Sequence, residues 1–67
     1  MDNKVFEYRK RRGLKRYELA RLVGISGTHL YYIEKGIKKP SVDIAIKIAE
    51  VLGTTVEKLF PRDSFKS

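Results

Sequence analysis

The chain has 67 residues, with 15 Lys and Arg against 8 Asp and Glu, so its formal net charge is +7, and it contains no cysteine. This length allows one domain that buries only about 60% of its unfolded surface, so dimerisation would add stability. The lack of cysteine excludes a disulfide framework and a thiolate metal site. No apolar run approaches the roughly 18 residues that span a bilayer, and the first residues lack a signal-peptide core. We therefore expect a cytoplasmic protein without a membrane partner.

Two short helices are predicted in the first third of the chain. In the first, residues 3–12, Val5 and Tyr8 supply an apolar face, and Gly13 ends the helix. The second begins near Arg16 and has an apolar inner face made of four side chains: Leu19, Ala20, Leu22 and Val23.

A sharp turn separates the second helix from a third. Gly24 stands where the second helix must stop, and Ser26 is a suitable N-cap for the next. Leu30 and Ile33 share the inner face of the third helix, which Gly36 ends. Its outer side carries no acid and is hydroxylic, aromatic and basic: Thr28, Tyr31, Tyr32 and Lys35. Two short helices joined by so tight a turn predict a helix-turn-helix, whose second helix enters the major groove of DNA.

The last third of the chain predicts two more helices. After Pro40, Ser41 caps a fourth helix that is apolar almost all round, so we expect it to be central or to lie partly against another subunit. Thr55 caps a short fifth helix. With no alternating pattern long enough for a strand, the sequence predicts an all-α, compact five-helix bundle.

The positive charge is concentrated in the same part of the chain as the predicted helix-turn-helix. Residues 1–39 hold eleven of the fifteen Lys and Arg against four acids, whereas residues 40–67 are neutral overall. Such an asymmetry favours a surface that faces nucleic-acid phosphates. The alternative is that residues 4–16 form only a solvated basic face.

Many short elements at fixed spacings resemble the Cro and phage-repressor type of helix-turn-helix regulator, also called XRE-like, over residues 3–60. No single element is specific, but together they make a chance resemblance improbable. The matching residues are Arg9, Arg12-Gly13-Leu14, Glu18-Leu19-Ala20, Gly24-Ile25-Ser26, Leu30, Ile33-Glu34-Lys35-Gly36, Pro40-Ser41, Ile48-Ala49-Glu50-Val51-Leu52-Gly53 and Leu59-Phe60.

This resemblance implies a lambda-repressor-like DNA-binding domain over residues 1–60, with helices 2 and 3 as the helix-turn-helix, and a C-terminal tail, 61–67. Members of the family usually bind palindromic operators in double-stranded DNA as homodimers, with half-sites about one helical turn apart. The resemblance thus implies a transcriptional regulator, in most cases a repressor.

The resemblance places the recognition helix at about 27–35 and its base-facing positions at Gly27, Thr28, Tyr31 and Tyr32. Family members often carry glutamine or another long polar residue at the first two, so amide-to-adenine readout is not expected here. We expect the Thr28 methyl to meet a thymine methyl and the two tyrosines to contact bases or phosphates. The alternative for either tyrosine is a packed surface aromatic.

Phosphate contacts are expected on both sides of the recognition helix. Arg16 begins the second helix, where the family places a backbone-contacting polar side chain and where the helix dipole favours an anion. Lys38 and Lys39 lie in a loop that matches the family's second backbone-contacting region. Lys15 and Lys35 are weaker candidates.

One pair of charges has a structural interpretation. In this family the glutamate that matches Glu34 commonly pairs with the arginine that matches Arg9, and a carboxylate near DNA would repel phosphate unless it were paired. We expect this pair to hold the recognition helix to the first helix. His29 is either a phosphate contact, stronger below about pH 6.5, or an ordinary surface residue.

A dimer surface is expected near the C-terminus, where family repressors of this size often pair. Val56, Phe60, Pro61 and Phe65 offer apolar area there. Phe60 has an alternative role in closing the core. A phenylalanine near a terminus, such as Phe65, needs something to cover it.

Other functions are weighed against the repressor. The same fold serves in antitoxins and in controllers of restriction systems, with a toxin or anti-repressor protein as a further partner, and it also serves as a protein-interaction module. An enzyme is not expected, because one histidine, no cysteine and no clustered carboxylates leave no acid–base, nucleophilic or metal chemistry. No cofactor is expected.

Overall fold

The computed structural model describes residues 3–61 and builds them from five α-helices without a strand. In chain order these are α1 (Val5–Arg11), α2 (Arg16–Val23), α3 (Gly27–Glu34), α4 (Val42–Leu52) and α5 (Val56–Leu59). The predicted all-α bundle of five helices is confirmed. α1 begins two residues later than predicted, because Asn3 Oδ1 accepts a hydrogen bond from the Val5 N–H (3.1 Å) and its Nδ2 donates to the Ile33 carbonyl (2.8 Å).

The turn between α2 and α3 is fixed at both ends by short-range chemistry. Gly24 ends α2 with φ of 89°, a left-handed conformation that a side chain would strain. Ser26 caps the N-terminus of α3, and its hydroxyl oxygen accepts a hydrogen bond from the His29 N–H (3.0 Å). These two residues set the angle at which α3 leaves α2.

One hydrophobic core joins all five helices. α4 lies at its centre, in contact with α1, α2 and α5, and α2 also packs on α3. The buried apolar residues are Val5, Leu19, Ala20, Val23, Leu30, Ile33, Ala45, Ile48, Ala49, Leu52, Leu59 and Phe60. Leu30 and Ile33 therefore anchor α3 through its inner face and leave the opposite face to solvent.

Three apolar side chains on α2 and α4 are more exposed than the sequence predicts. Leu22 is predicted to lie beside Leu19, but its side chain is 60% exposed, because it lies about 110° around the helix from the centre of the buried face. On α4, Val42 is 73% exposed and Ile46 is also exposed, so burial on this helix covers one face rather than its whole circumference.

The C-terminal end of the described chain closes the bundle. The Lys4 N–H donates to the Leu59 carbonyl (2.8 Å), which ties α5 to the start of α1. Phe60 is 2% exposed and belongs to the core. It therefore closes the core, as the alternative interpretation predicts, and offers no exposed surface for a dimer. Val56 and Pro61 are half-buried, and Phe65 lies outside the described residues.

Candidate nucleic-acid interface

The outward face of α3 carries the four residues predicted to face DNA bases. Thr28 and Tyr32 are exposed, whereas Gly27 and Tyr31 are half-buried. The rings of Tyr31 and Tyr32 meet edge to face, with 5.6 Å between centroids. The half-buried His29 lies on the same helix. This face thus presents a small hydroxyl and two phenols whose rings contact each other.

Cations surround the Tyr31 ring. The Arg16 guanidinium carbon lies 4.8 Å from the ring centroid, and the Lys35 ammonium lies 5.7 Å from it. Both distances are within the range of cation–π attraction. Two of the predicted phosphate ligands therefore contact one predicted base-facing residue, although Arg16 begins α2 and Lys35 directly follows α3.

Glu34 is the acid of α3, and it is directed away from the outer face. Arg9 of α1 holds its carboxylate through two bonds, Nε to Oε2 at 2.7 Å and Nη2 to Oε1 at 3.2 Å, and both side chains are 6% exposed. Arg9 Nη1 also donates to the Leu14 carbonyl (3.0 Å). Since Arg9 neutralises the buried carboxylate, α3 presents no uncompensated negative charge to a polyanion.

Arg16 and Tyr31 form a ridge between two open grooves. One groove is lined by Arg9, Lys15, Arg16, Tyr17, Gly27, Thr28 and Tyr31. The other is lined by Phe6, Arg16, Tyr31, Glu34 and Lys35. Residues predicted to contact bases and residues predicted to contact phosphates thus line two neighbouring grooves, which together extend from the N-terminal ends of α2 and α3 to the C-terminal end of α3.

The loop after α3 extends this surface. Its course is fixed by the Tyr32 carbonyl, which accepts hydrogen bonds from the backbone N–H groups of Ile37 (2.9 Å) and Lys38 (3.2 Å). The side chains of Lys38 and Lys39 are exposed. The predicted phosphate contacts therefore come from the start of α2, with Lys15 and Arg16, and from the loop after α3, with Lys38 and Lys39.

Part of the basic stretch in residues 4–16 serves the fold itself. Arg11 Nη2 lies 2.6 Å from Glu7 Oε2 on the same helix, and Arg12 Nε donates to the Leu52 carbonyl (3.2 Å) at the end of α4. Together with Arg9, these residues show that the charge of this stretch is divided between internal partners and the exposed surface.

Two aromatic residues of the surface were missed from the sequence. Phe6 is 52% exposed beneath Arg9 and Lys10, and Tyr17 is 55% exposed with Arg21 beside its ring. For Tyr17 the sequence contained a signal, because this residue directly follows Arg16, a predicted phosphate contact, at the start of α2. For Phe6 no signal was available, because its place beside α3 depends on how α1 packs.

The described residues contain no group of three or more His, Asp or Glu side chains placed to hold a metal ion. Within the same part of the chain, no helix combines the length and the apolar character that crossing a bilayer requires.

A tight turn joins α2 to α3, the outer face of α3 is exposed, its one acid is paired with Arg9, and cations precede and follow it in the chain. Together these features define a helix-turn-helix DNA-binding domain. The family model described as "Helix-turn-helix" matches residues 5–59, and the chain belongs to this family. An HTH-type transcriptional regulator of Archaeoglobus fulgidus is 37% identical over 60 residues, which are 90% of this chain and 86% of the relative. The chain is therefore a DNA-binding regulator of the XRE type and not an enzyme, as its sequence predicts.

Solved structures agree with this assignment. The biofilm regulator SinR in complex with DNA superposes with a TM-score of 0.74 at 31% identity, over 81% of this chain and 87% of that one. SinR in its complex with SinI gives a TM-score of 0.80 at 30% identity, and the match covers 90% of this chain but only 59% of that SinR chain. The DNA-binding domain of the P22 c2 repressor, at 17% identity and a TM-score of 0.80, shares the fold.

Proposed function

We propose that the protein is a transcriptional repressor that binds a palindromic operator as a homodimer, with α3 in the major groove. The observation that carries this proposal is the outer face of α3, on which Thr28 and Tyr32 are exposed while the helix's acid, Glu34, is neutralised by buried Arg9. Such a face can approach base edges without repelling phosphates. SinR, whose domain is similar, binds DNA.

The phosphate contacts of this proposal come from both ends of the helix-turn-helix. Lys15 and Arg16 would meet one strand, and Lys38 and Lys39 the other, with Lys35 as a further contact. Gly27, Thr28, Tyr31 and Tyr32 would face the bases. Repression follows if the operator overlaps a promoter, because the bound domain then excludes RNA polymerase from the same DNA, in the cytoplasm.

The proposed dimer pairs through α5 and the C-terminal residues, with residues 1–60 as the DNA-binding domain. Half-buried Val56 and Pro61 lie at the end of the described chain and continue into the tail that contains Phe65. Burial of these apolar groups between two copies would stabilise a small domain. Since SinR forms a complex with SinI, a second protein, such as an antirepressor or a toxin, is the proposed means of release.

Selection of binding sites from a random duplex library tests this function. At ~150 mM salt we expect an inverted repeat with half-sites about 10 base pairs apart, centre to centre, and an affinity that falls steeply as salt rises. Sedimentation of the complex should give two chains per operator. Weak, salt-insensitive binding without an enriched motif would instead favour the protein-interaction module.

Lys38→Ala tests the phosphate contacts separately from base reading. We expect the slope of log affinity against log salt to become shallower by about 0.9 for each phosphate that the lysine no longer neutralises, hence about 1.8 for a dimer, with the preferred sequence retained. Lys47→Ala on α4 removes the same charge outside α2 and α3, and it should change the slope much less. A changed base preference in Lys38→Ala would contradict the assignment.

A further inference from the structure

The side chain of Arg16 is held in a defined position although it is 44% exposed. Its Nε lies 3.8 Å from Glu34 Oε1, and its guanidinium carbon lies 4.8 Å from the Tyr31 ring centroid. Within residues 3–61 its two terminal amino groups donate no hydrogen bond to the protein. The planar end of the side chain is therefore oriented, and its donors remain available to a ligand.

The space next to Arg16 is left open by Gly27. This glycine is the first residue of α3, and a Cβ built on it would meet no atom within 4 Å. Its φ is outside the left-handed region, so neither packing nor backbone conformation requires a glycine. The absence of a side chain at Gly27 gives a ligand access to the α3 backbone, because the groove between Arg16 and Thr28 is lined by this glycine.

From these two observations we propose that Arg16 reads a guanine in each operator half-site, with Tyr31 as its positioning residue. A guanidinium forms two parallel hydrogen bonds to guanine O6 and N7, which no other base edge in the major groove accepts in this way. Stacking on Tyr31 fixes the plane of the fork before binding, so less side-chain freedom is lost in the complex. The proposal rests on the DNA-binding mode proposed above, and within that mode it replaces the phosphate contact of Arg16 with a base contact.

The geometry favours a base over a phosphate as the ligand of Arg16. A phosphate contact requires positive charge in the right place, and a flexible lysine satisfies that requirement. Here the Tyr31 ring and the Glu34 carboxylate both contact the planar end of Arg16, which lies at the groove that begins at the N-terminal end of α3. The N-terminal end of the recognition helix, here α3, is the part of a helix-turn-helix that contacts base edges.

Arg16→Lys distinguishes the two ligands, because it keeps the charge and removes the planar fork. Site selection with the wild-type protein should return a guanine at one position of each half-site. With Arg16→Lys we expect the preference for that guanine to fall by about 5-fold to 150-fold per half-site, while the salt slope stays unchanged. Arg21→Lys is the matched control, since Arg21 is also on α2 and lies 5.9 Å from the Tyr17 ring. It should select the wild-type motif.

A modified operator tests the same hydrogen bonds without relying on the folding of a variant. Replacing the guanine with 7-deazaguanine removes the N7 acceptor, and it should weaken wild-type binding by about 5-fold or more but leave the binding of Arg16→Lys almost unaffected.

Variants of Tyr31 test its positioning role. Tyr31→Phe keeps the aromatic ring and should keep the preference for guanine, whereas Tyr31→Leu should lose that preference. If Arg16→Lys selects the same guanine as the wild type, the assignment is overturned and the proposed function stands. If the wild-type protein enriches no motif, both are overturned.

Discussion

Glu34→Gln is expected to lower the free energy of unfolding by about 3 kcal/mol or more, because it leaves the charge of Arg9 buried without a counter-charge. Both side chains are 6% exposed, and the pair is joined by two hydrogen bonds of 2.7 and 3.2 Å. A domain of this size has a total stability of about 3–10 kcal/mol, so the substitution removes a large part of it. Urea unfolding followed by circular dichroism, at fixed protein concentration, measures the effect.

Glu7→Gln provides the matched control for this prediction. It makes the same chemical change in a pair of similar length, since Arg11 Nη2 lies 2.6 Å from Glu7 Oε2, but the side chains are 61% and 48% exposed. Solvent screening limits such a pair to about 0–1 kcal/mol. Equal losses in the two variants would show that burial does not determine the contribution of the Arg9–Glu34 pair.

A double variant separates the cost of an unpaired charge from the value of the pair. Arg9→Met combined with Glu34→Leu replaces both ions with apolar groups of similar size. We expect it to be more stable than Glu34→Gln alone, because no buried charge remains. The result would identify the pair as a device that fixes α3 against α1 rather than as a large net source of stability.

Leu19→Ala is the second substitution with a large expected effect, a loss of about 3 kcal/mol or more in the free energy of unfolding. Leu19 is fully buried on α2, where that helix packs against α3 and α4. Truncation removes apolar burial and leaves a cavity that the surrounding helices fill only in part. Because α3 is positioned by this packing, the affinity for DNA should fall together with stability.

Leu22→Ala is the control for Leu19→Ala, with the same side chain on the same helix three residues later. Leu22 is 60% exposed, and alanine is an equally good helix former, so the loss should stay below about 1 kcal/mol. A loss in Leu22→Ala that matches Leu19→Ala, and that falls on dilution, would mean that Leu22 is covered by a second copy in solution.

The sequence predicted the helices well because their ends depend on neighbouring residues. Gly24 and Ser26 act through the backbone of their own turn, and the serine hydroxyl meets an N–H three residues away. Such signals can be recognised in the sequence without knowledge of the rest of the fold. The charge asymmetry and the outer face of α3 were readable for the same reason, since they depend on composition and helical spacing alone.

Tertiary packing decided which apolar side chains are buried, which the helical periodicity of the sequence does not determine. An apolar residue near the edge of a helical face becomes buried only if another helix reaches it, so Leu22 and Val42 are exposed while Phe60 is enclosed. The ridge of Arg16 and Tyr31 has the same origin, because its two members come from different helices and meet only when α2 and α3 pack.

Local structure and the overall class of protein were thus determined by the sequence itself, through caps, glycines and the spacing of apolar residues. The tertiary structure alone decided which cations point outward. Arg9, Arg12 and Arg16 lie within eight positions of one another, yet one is buried against Glu34, one caps α4 and one remains partly exposed to solvent. The physical reason is that the partner of each charge comes from a distant part of the chain, where short-range preferences carry no information.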